Sequence, residues 1–370
     1  MSFYLKEIET VNFRNHEAIN VSFHPRLNFI VGPNASGKTS LLDAIYYLSF
    51  TKGFMGATDQ ENIRTQTDFF LVKGNYFRND SDETVSCGLK KDGKKQFMRN
   101  GKEYARFFEH IGSFPLVIVS PYDQGLINGP SEERRKYADS VISQIDRPYL
   151  ETVLSYAKIL KQRNALLKNM AENGSNDKDM LSVYNTQLAK HGNHIYKSRN
   201  NFVQAFLPFF NEIYARLSGK SEPVSISYIS RLHENIFGDL LEANTQRDML
   251  AGTTTSGPHR DELLFTINGL PAKYAGSQGQ QKTFLLSLRL AQYAYIRQTI
   301  GLPPLLLLDD IFDKLDDQRV ANLLEEVLDH NYGQIFITHT NLTMLTWVLG
   351  NLKQDYSVIK LKNGLLDEQR

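Results

Sequence analysis

The segment that most constrains this chain is GPNASGKT, which runs from Gly32 to Thr39. It follows the apolar run LNFIV, which is typical of a buried strand, and it precedes a stretch whose apolar residues recur at helical spacing. A strand, a glycine-rich turn and a helix in this order form a loop whose backbone amides surround phosphate oxygens. The sequence therefore predicts an α/β fold with a phosphate-binding loop, in preference to a chance glycine-rich turn.

The residue types in this loop suit ATP and Mg²⁺. Glycine at both ends permits the tight backbone geometry that points amides at phosphate oxygens over a helix N-terminus. Lys38 is expected to reach the β- and γ-phosphates, and the Thr39 hydroxyl is expected to hold Mg²⁺. The residues predicted to bind nucleotide here are Gly32, Pro33, Asn34, Ala35, Ser36, Gly37, Lys38, Thr39 and Ser40.

The run LLLLDD supplies the acidic groups that such a loop requires. Four leucines predict a strand buried on both faces, and Asp309 and Asp310 follow at its end. Asp309 is expected to bind the Mg²⁺, and Asp310 is expected to orient or deprotonate the attacking water. Paired aspartates at a strand end also serve as helix caps or turn residues, and the upstream loop favours the metal role. The predicted catalytic residues are Lys38, Asp309 and Asp310.

Composition limits the class of protein. The chain has 370 residues, enough for two lobes with sizeable cores, and its net charge is +1, so any nucleic-acid surface is a local patch. Its single cysteine, Cys87, excludes an intramolecular disulfide and a multi-cysteine zinc site. No apolar stretch approaches the ~20 residues that cross a bilayer. We expect a cytoplasmic protein without a membrane association.

The pattern along the chain predicts a split ATPase lobe. Residues 1–125 show short apolar runs and two hairpin signals, Asp92-Gly93 and Asn100-Gly101, and form the N-terminal half with an antiparallel β appendage. Residues 126–220 show long helical patterns and form an inserted helical lobe. Residues 221–370 form the C-terminal half, which carries LLLLDD and the motifs described next.

The segment GSQGQQ resembles a variant of the signature motif of ABC-type ATPases. In that class the signature of one molecule caps the γ-phosphate held by the phosphate loop of another. The resemblance implies that Ser277, Gly279 and Gln280 contact nucleotide across an ATP-dependent homodimer. It also implies that Leu315-Asp316 is the D-loop and that His339 is the switch histidine. Without the other motifs, GSQGQQ is an ordinary polar loop, and His339 is an ordinary strand-end histidine.

Segments spanning nearly the whole chain resemble the RecF family of bacterial DNA-repair ATPases. They include LKEIETVNFRNHEAINVSF, SPYDQGLINGPSEERRKYAD, KQRNALLK, GPHRDEL, GSQGQQKT and LLLLDDIFDKLD. The resemblance implies an ABC-type ATPase head related to SMC heads, with a mixed, largely parallel sheet and a helical lobe in place of a long coiled coil. By the same resemblance Arg14 and Asn15 approach the nucleotide, although Arg14 is alternatively a plain surface residue. Residues 259–261 in GPHRDEL are either functional or a structural loop network.

The resemblance implies an ATP-dependent DNA-binding protein of recombinational repair and replication-fork maintenance. An ATP-induced dimer would clamp DNA at gaps or single/double-strand junctions, and slow, DNA-stimulated hydrolysis would release it. Slow turnover is expected because aspartate stands at Asp310 where many related ATPases have the longer glutamate. The protein would assist recombinase loading and SOS induction at the nucleoid, with a RecR-like partner. The alternatives are a non-catalytic nucleotide-binding scaffold and the ATPase subunit of a transporter.

Two basic patches are candidates for DNA contact without sequence specificity. Lysine and arginine crowd the predicted hairpins, and further lysines share one face of the helical lobe. Charge runs of this kind are alternatively solvated faces. The candidate residues are Lys90, Lys91, Lys94, Lys95, Arg99, Lys190 and Lys197.

Overall fold

The computed structural model describes residues 2–173, 177–219, 222–311, 317–329, 332–340 and 355–370. Contacts divide the chain into two compact units. The first unit comprises Met1–Asp123, Ile213–Lys220 and Gln278–Arg370, and the second comprises Gln124–Glu212 and Ser221–Ser277. No helix among the described residues has the length and apolar character needed to cross a membrane.

The described residues form strands and helices in an interleaved order. The strands are β1 (Phe3–Phe13), β2 (His16–Ser22), β3 (Leu27–Val31), β4 (Phe69–Arg78), β5 (Ser81–Lys90), β6 (Gln96–Arg99), β7 (Lys102–Glu103), β8 (Leu116–Val119), β9 (Val224–Ile229), β10 (Glu262–Ile267), β11 (Leu270–Pro271), β12 (Leu305–Leu308), β13 (Ile335–His339), β14 (Ser357–Lys362) and β15 (Leu365–Gln369). The helices are α1 (Lys38–Phe50), α2 (Gln124–Asn128), α3 (Ser131–Ile145), α4 (Arg147–Asn173), α5 (Lys178–Ser218), α6 (Phe237–Ala243), α7 (Thr245–Ala251), α8 (Ala272–Ala275), α9 (Gln278–Ile300) and α10 (Asp317–Asp329).

The first unit is built on a mixed sheet in the order β15-β14-β3-β13-β12-β8. All pairs from β14 to β8 are parallel, and only β15 runs antiparallel to its neighbour. Every residue of β3, β8 and β12 is buried, as expected for central parallel strands covered on both faces. Because parallel strands end at the same edge, the residues that follow β3 and β12 and the last residue of β13 meet there.

The second sheet of the first unit is antiparallel, in the order β2-β1-β4-β5-β6-β7. The Asn100-Gly101 turn joins paired Arg99 and Lys102 with positive φ at both turn residues, so this predicted two-residue hairpin is present. The Asp92-Gly93 hairpin is also present, but β5 ends at Lys90 and β6 begins at Gln96, so its turn is longer than predicted.

Helix α1 joins the two sheets into one hydrophobic cluster. Its side chains Leu41, Leu42, Ile45 and Leu48 are fully buried in that cluster with residues of both sheets. Burial of this apolar face fixes the helix, because each fully buried leucine or isoleucine contributes roughly 1.5–3 kcal/mol. The loop that precedes α1 is therefore held at the edge of the parallel sheet.

The second unit combines long helices with a three-stranded antiparallel sheet in the order β11-β10-β9. Helices α4 and α5 occupy the region in which the sequence predicts helical patterns. The predicted boundaries assigned residues 221–277 to the C-terminal half of the ATPase lobe, whereas contacts place this segment in the second unit. The reason is that β9 and β10 pair with each other and β10 contacts α3, within the same unit.

Candidate nucleotide site

The predicted nucleotide residues of the first unit meet at the edge where the parallel strands end. Gly32 follows β3, Asp309 follows β12, and His339 ends β13. The Gly32 N–H donates to the His339 carbonyl at 3.4 Å, which joins the start of the loop to the neighbouring strand. The sheet therefore brings together residues that lie far apart in the sequence.

The loop needs glycine at Gly37 for two reasons. Its φ of +105° lies in the region that favours glycine, and a Cβ there would lie 2.5 Å from the His16 ring carbon Cε1. Just before it, the Ser36 side chain is buried, and its hydroxyl has no hydrogen-bond partner within the described part of the chain. An orphaned buried hydroxyl is costly without a partner, and it suits a polar ligand seated in the loop.

Lys38, the first residue of α1, folds back onto the loop. Its Nζ donates to the carbonyl oxygens of Gly32 at 2.8 Å and of Pro33 at 2.9 Å. Burial lowers the pKa of Lys38, and the carboxylates of Asp310 and Asp309 oppose that shift. These carbonyls hold the ammonium beside the place where phosphate is expected.

Asp309 accepts two hydroxyl hydrogen bonds on the same oxygen. The Thr39 hydroxyl donates to Oδ1 at 3.2 Å and the Thr338 hydroxyl donates at 2.8 Å. Burial raises the pKa of Asp309 and the charge of Asp310 adds to it, while the two hydroxyls and Lys38 act in the opposite direction. Sequence reasoning missed Thr338, although it stands in the strand IFITHT beside the predicted His339.

The donor set fits Mg²⁺. A threonine hydroxyl and a carboxylate within 3.2 Å of each other are hard oxygen ligands of the kind that Mg²⁺ takes. No group of three or more His, Cys, Asp or Glu side chains suited to a metal occurs in the part of the chain that the structure describes. A magnesium ion at Thr39 and Asp309 would therefore complete its shell with phosphate oxygens and water, as Mg²⁺ usually does.

Asp310 has a strained backbone at the same edge. Its φ is +47°, a conformation that non-glycine residues rarely adopt, and its N–H donates to the Thr338 hydroxyl at 2.9 Å. Burial lowers the pKa of His339, Asp310 opposes this shift, and Lys38 adds to it. Lys38, Asp310 and His339 are thus electrostatically coupled, as expected of groups that share one site.

The two residues predicted near the nucleotide by resemblance have different surroundings. The Asn15 side-chain amide donates to the Ala35 carbonyl of the phosphate loop at 3.2 Å. Arg14 instead pairs through Nε with Oδ2 of the buried Asp43 in α1, at 2.6 Å. Asn15 therefore contacts the loop directly, while Arg14 contacts the helix that follows it.

The signature segment lies at the start of α9. Ser277 is exposed, and α9 begins at the next residue. Gly279 packs against the guanidinium of Arg319, since a Cβ there would lie 2.2 Å from Nη1 and the arginine would have to move aside. Gln280 is half-buried in the first turn of the helix. The predicted D-loop, residues 315–316, lies outside the described residues.

The predicted DNA contacts fall into two groups. Lys95 donates to Asp59 at 2.7 Å and to the Thr51 carbonyl at 2.8 Å, and Arg99 pairs with Glu83 at 2.7 Å. Both side chains are therefore paired within the protein, and their contact with DNA stays a prediction. The exposed members of the set are Lys90, Lys91, Lys94, Lys190 and Lys197. Their contact with DNA stays a prediction.

Comparison with known proteins decides the family. A family profile described as the RecF/RecN/SMC N terminal domain matches residues 4–364. The chain is 42% identical over 365 residues to the DNA replication and repair protein RecF of Bacteroides thetaiotaomicron, covering 98% of each chain. The chain belongs to the RecF family. A second RecF protein, from Flavobacterium johnsoniae, is 42% identical over 358 residues, which cover 97% of this chain and 100% of that one.

Solved structures confirm the predicted ABC-type head. The structure described as the recombination mediator protein RecF-ATPrS in the RecFOR pathway matches with a TM-score of 0.88 and 32% identity, covering 99% of this chain and 98% of that one. An Smc head domain from Pyrococcus furiosus matches with a TM-score of 0.58 and 16% identity, covering 100% and 96%. The latter likeness shows the fold alone. The RecF family therefore shares its head architecture with SMC proteins.

Proposed function

We propose that this protein is an ATP-dependent DNA-binding protein of DNA replication and recombinational repair, with weak, DNA-stimulated ATPase activity. The observation that carries the proposal is the meeting of Lys38, Thr39, Asp309 and Asp310 at one edge of the parallel sheet. The RecF relatives are described as DNA replication and repair proteins, and matching structures are described as RecF with ATP and with ATPrS. These descriptions support the same ligand and the same process.

In the proposed reaction each residue has a separate task. Lys38 leaves the carbonyls of Gly32 and Pro33 and pairs with the β- and γ-phosphates. Thr39 and Asp309 would hold Mg²⁺, which would neutralise charge on the phosphate oxygens. Asp310 orients the attacking water, and His339 lies close to Asp310. Because an aspartate is one methylene shorter than a glutamate, Asp310 reaches the water less closely, and turnover is slow.

The second half of each site would come from another copy of the chain. Ser277 is exposed at the start of α9, where a hydroxyl and a helix N-terminus favour anionic oxygens. With ATP bound, Ser277, Gly279 and Gln280 of one copy cover the γ-phosphate held by the other. The dimer then holds DNA at gaps or junctions, and hydrolysis releases it. The RecFOR description of the matching structure supports a RecR-like partner in this process.

The proposal predicts that Ser277→Arg binds ATP but no longer dimerises with ATP or retains DNA in an ATP-dependent way. A long cation at the contact would block the close approach of two copies. The measurement is light scattering together with DNA binding, each with and without Mg²⁺-ATP. Ser182→Arg, at an exposed position of α5, is the matched control and should behave as wild type. ATP-dependent dimerisation of Ser277→Arg at the wild-type level would refute the shared site.

A further inference from the structure

The back of the phosphate loop is pinned by two turns from distant parts of the chain. One is the β1–β2 turn, which contains Asn15 and leads into His16, the first residue of β2, and the other is the β14–β15 turn, which contains Gly364. All of these residues lie in the first unit. Three consecutive carbonyls of the phosphate loop, those of Ala35, Ser36 and Gly37, are held by these turns.

Each carbonyl has its own partner. The Asn15 amide donates to the Ala35 carbonyl at 3.2 Å, and the Gly364 N–H donates to the Ser36 carbonyl at 3.0 Å. The His16 ring places Nδ1 2.7 Å from the Gly364 carbonyl oxygen and Nε2 3.1 Å from the Gly37 carbonyl oxygen. Burial lowers the pKa of His16, so the neutral ring has one N–H to donate to one of these two oxygens. The Gly37 carbonyl also accepts from the Leu41 N–H at 2.9 Å, the first hydrogen bond of α1. His16 therefore links the two sides of the arrangement directly, and it is fully buried.

The positions of these carbonyls determine where the loop amides point. In a planar trans peptide the C=O and the N–H of the same unit point in opposite directions. A Ser36 carbonyl fixed toward Gly364 therefore directs the Gly37 N–H toward the opposite side, and a fixed Gly37 carbonyl does the same for the Lys38 N–H. That opposite side is the mouth of the loop, where amides must face phosphate.

Gly364 has no room for any larger residue. A Cβ there would lie 2.3 Å from the Asn15 carbonyl oxygen, and its φ of +79° also disfavours a side chain. The close approach of the two turns therefore requires glycine at this position. The C-terminal hairpin is continuous with the parallel sheet through β14, which pairs with β3 next to the loop.

We propose that His16 and Gly364 are positioning residues for nucleotide binding, because the Gly364 N–H holds the Ser36 carbonyl, the His16 ring lies between the Gly364 and Gly37 carbonyls, and both residues thereby aim the loop amides at phosphate. This inference rests on the proposed binding of ATP at the loop. It assigns the C-terminal hairpin, which the sequence motifs do not mark, to the nucleotide site.

The glycine test uses two alanine variants with nearly equal backbone strain. Gly364→Ala and Gly101→Ala replace residues with φ of +79° and +76°, but a Cβ at Gly101 would meet nothing within 4 Å. Both variants should lose stability from the strained φ, measured by thermal unfolding, and Gly364→Ala should lose more because its Cβ also meets the Asn15 carbonyl oxygen. Only Gly364→Ala should weaken Mg²⁺-ATP binding, by about tenfold or more, with KM for ATP raised and kcat nearly unchanged. Equal ATP affinity in the two variants would overturn the inference.

The histidine test separates the hydrogen bond from the packing. His16→Leu fills a similar volume without a donor, whereas His16→Gln keeps an N–H donor that can reach one of the two carbonyls. We expect His16→Leu to weaken ATP binding by about tenfold and His16→Gln to recover part of the loss. The inference fails where both variants bind ATP as wild type does. Failure of wild type itself to bind Mg²⁺-ATP would refute the proposed function, so the two failures are distinguishable.

Discussion

Two glycine-containing loops of this protein hold polar groups in opposite ways. The phosphate loop, Gly32 to Thr39, has its carbonyls pinned from behind, while its Ser36 hydroxyl is buried without a partner in the described chain. The second loop, residues 253–261, belongs to the second unit and includes most of GPHRDEL. Its polar groups are bonded to each other and to the helices around it.

The bonds of the second loop form a closed network. Arg163 of α4 donates to Asp248 of α7 at 2.7 Å and to the Thr254 hydroxyl at 2.8 Å. His259 contacts the Tyr156 hydroxyl at 2.7 Å and the Thr254 carbonyl at 3.0 Å. Only the Nη2 atom of Arg163 has no partner among the described residues of this network.

This difference in hydrogen bonding distinguishes a structural loop from a ligand-binding loop. Buried polar groups that satisfy one another fix the local structure, whereas groups left unsatisfied beside an open mouth are available to a ligand. By this criterion the loop at residues 253–261 is a structural network. This matches the second of the two alternatives that the sequence left open for His259 and Asp261. Asp261 is buried and accepts from the Tyr228 hydroxyl within the same unit. The Arg260 side chain is exposed, although it also donates through Nη2 to the Thr254 carbonyl at 3.2 Å.

The largest expected effect comes from breaking the closed network. Arg163 and Asp248 are both fully buried, so Arg163→Met leaves the Asp248 carboxylate without its ionic partner. Removing one member of a buried pair costs roughly 3–5 kcal/mol in the free energy of unfolding. ATP affinity should stay at the wild-type value. Urea denaturation and equilibrium ATP binding measure the two quantities.

The neighbouring exposed arginine provides the control. Arg247→Met removes the same charge from the surface of α7, and its effect should stay within about 0.5 kcal/mol. If Arg163→Met proved as mild as Arg247→Met, the second loop would not be the scaffold that its hydrogen bonds indicate.

The same loop should make stability depend on acid. Burial lowers the pKa of His259 from 6.5 to about 4, although its bond to the Thr254 carbonyl opposes the shift. Between pH 6.5 and about 4, His259 is therefore protonated in the unfolded chain but stays neutral in the folded chain. Stability from this group is complete above pH 6.5 and is lost as the pH falls toward 4, by at most about 3 kcal/mol.

The measurement is the free energy of unfolding against pH for wild type and His259→Gln. The free energy of unfolding of the variant should no longer contain the pH dependence that His259 contributes. It should keep the pH dependence contributed by His110 in the first unit, whose pKa burial also lowers to about 4. Identical pH profiles for the two proteins would show that His259 has the same pKa in the folded and the unfolded chain, contrary to the expectation.

The sequence predicted some of these features far better than others. The strand at Leu27–Val31, the loop and α1 followed from apolar periodicity and glycine spacing, because the signal there is local. The partners of His16, Arg163 and Lys95 lie far away in the sequence, so no local pattern reveals them. The assignment of residues 221–277 to the ATPase half differed from the observed units for the same reason, since strand pairing across the fold decides it.

The smallest expected effect is that of Lys38→Met. In contrast to Arg163→Met, it should change ATP binding and leave stability almost unchanged. In Lys38→Met the Gly32 and Pro33 carbonyls lose an ammonium donor, but a buried charge is removed as well, and these terms largely offset each other. Loss of charge-assisted bonds to phosphate should weaken Mg²⁺-ATP binding at least about 30-fold, or about 2 kcal/mol.

Equilibrium binding of a fluorescent ATP analogue, read beside urea denaturation, tests this contrast. Lys52→Met removes an exposed lysine just after α1 and should change neither quantity. A Lys38→Met protein that bound ATP normally but unfolded as easily as Arg163→Met would contradict the contrast. It would mean that Lys38 stabilises the fold, as Arg163 does, and does not bind the ligand. Loss of affinity at nearly wild-type stability instead means that the loop holds Lys38 for its ligand, and that its fold does not depend on the charge.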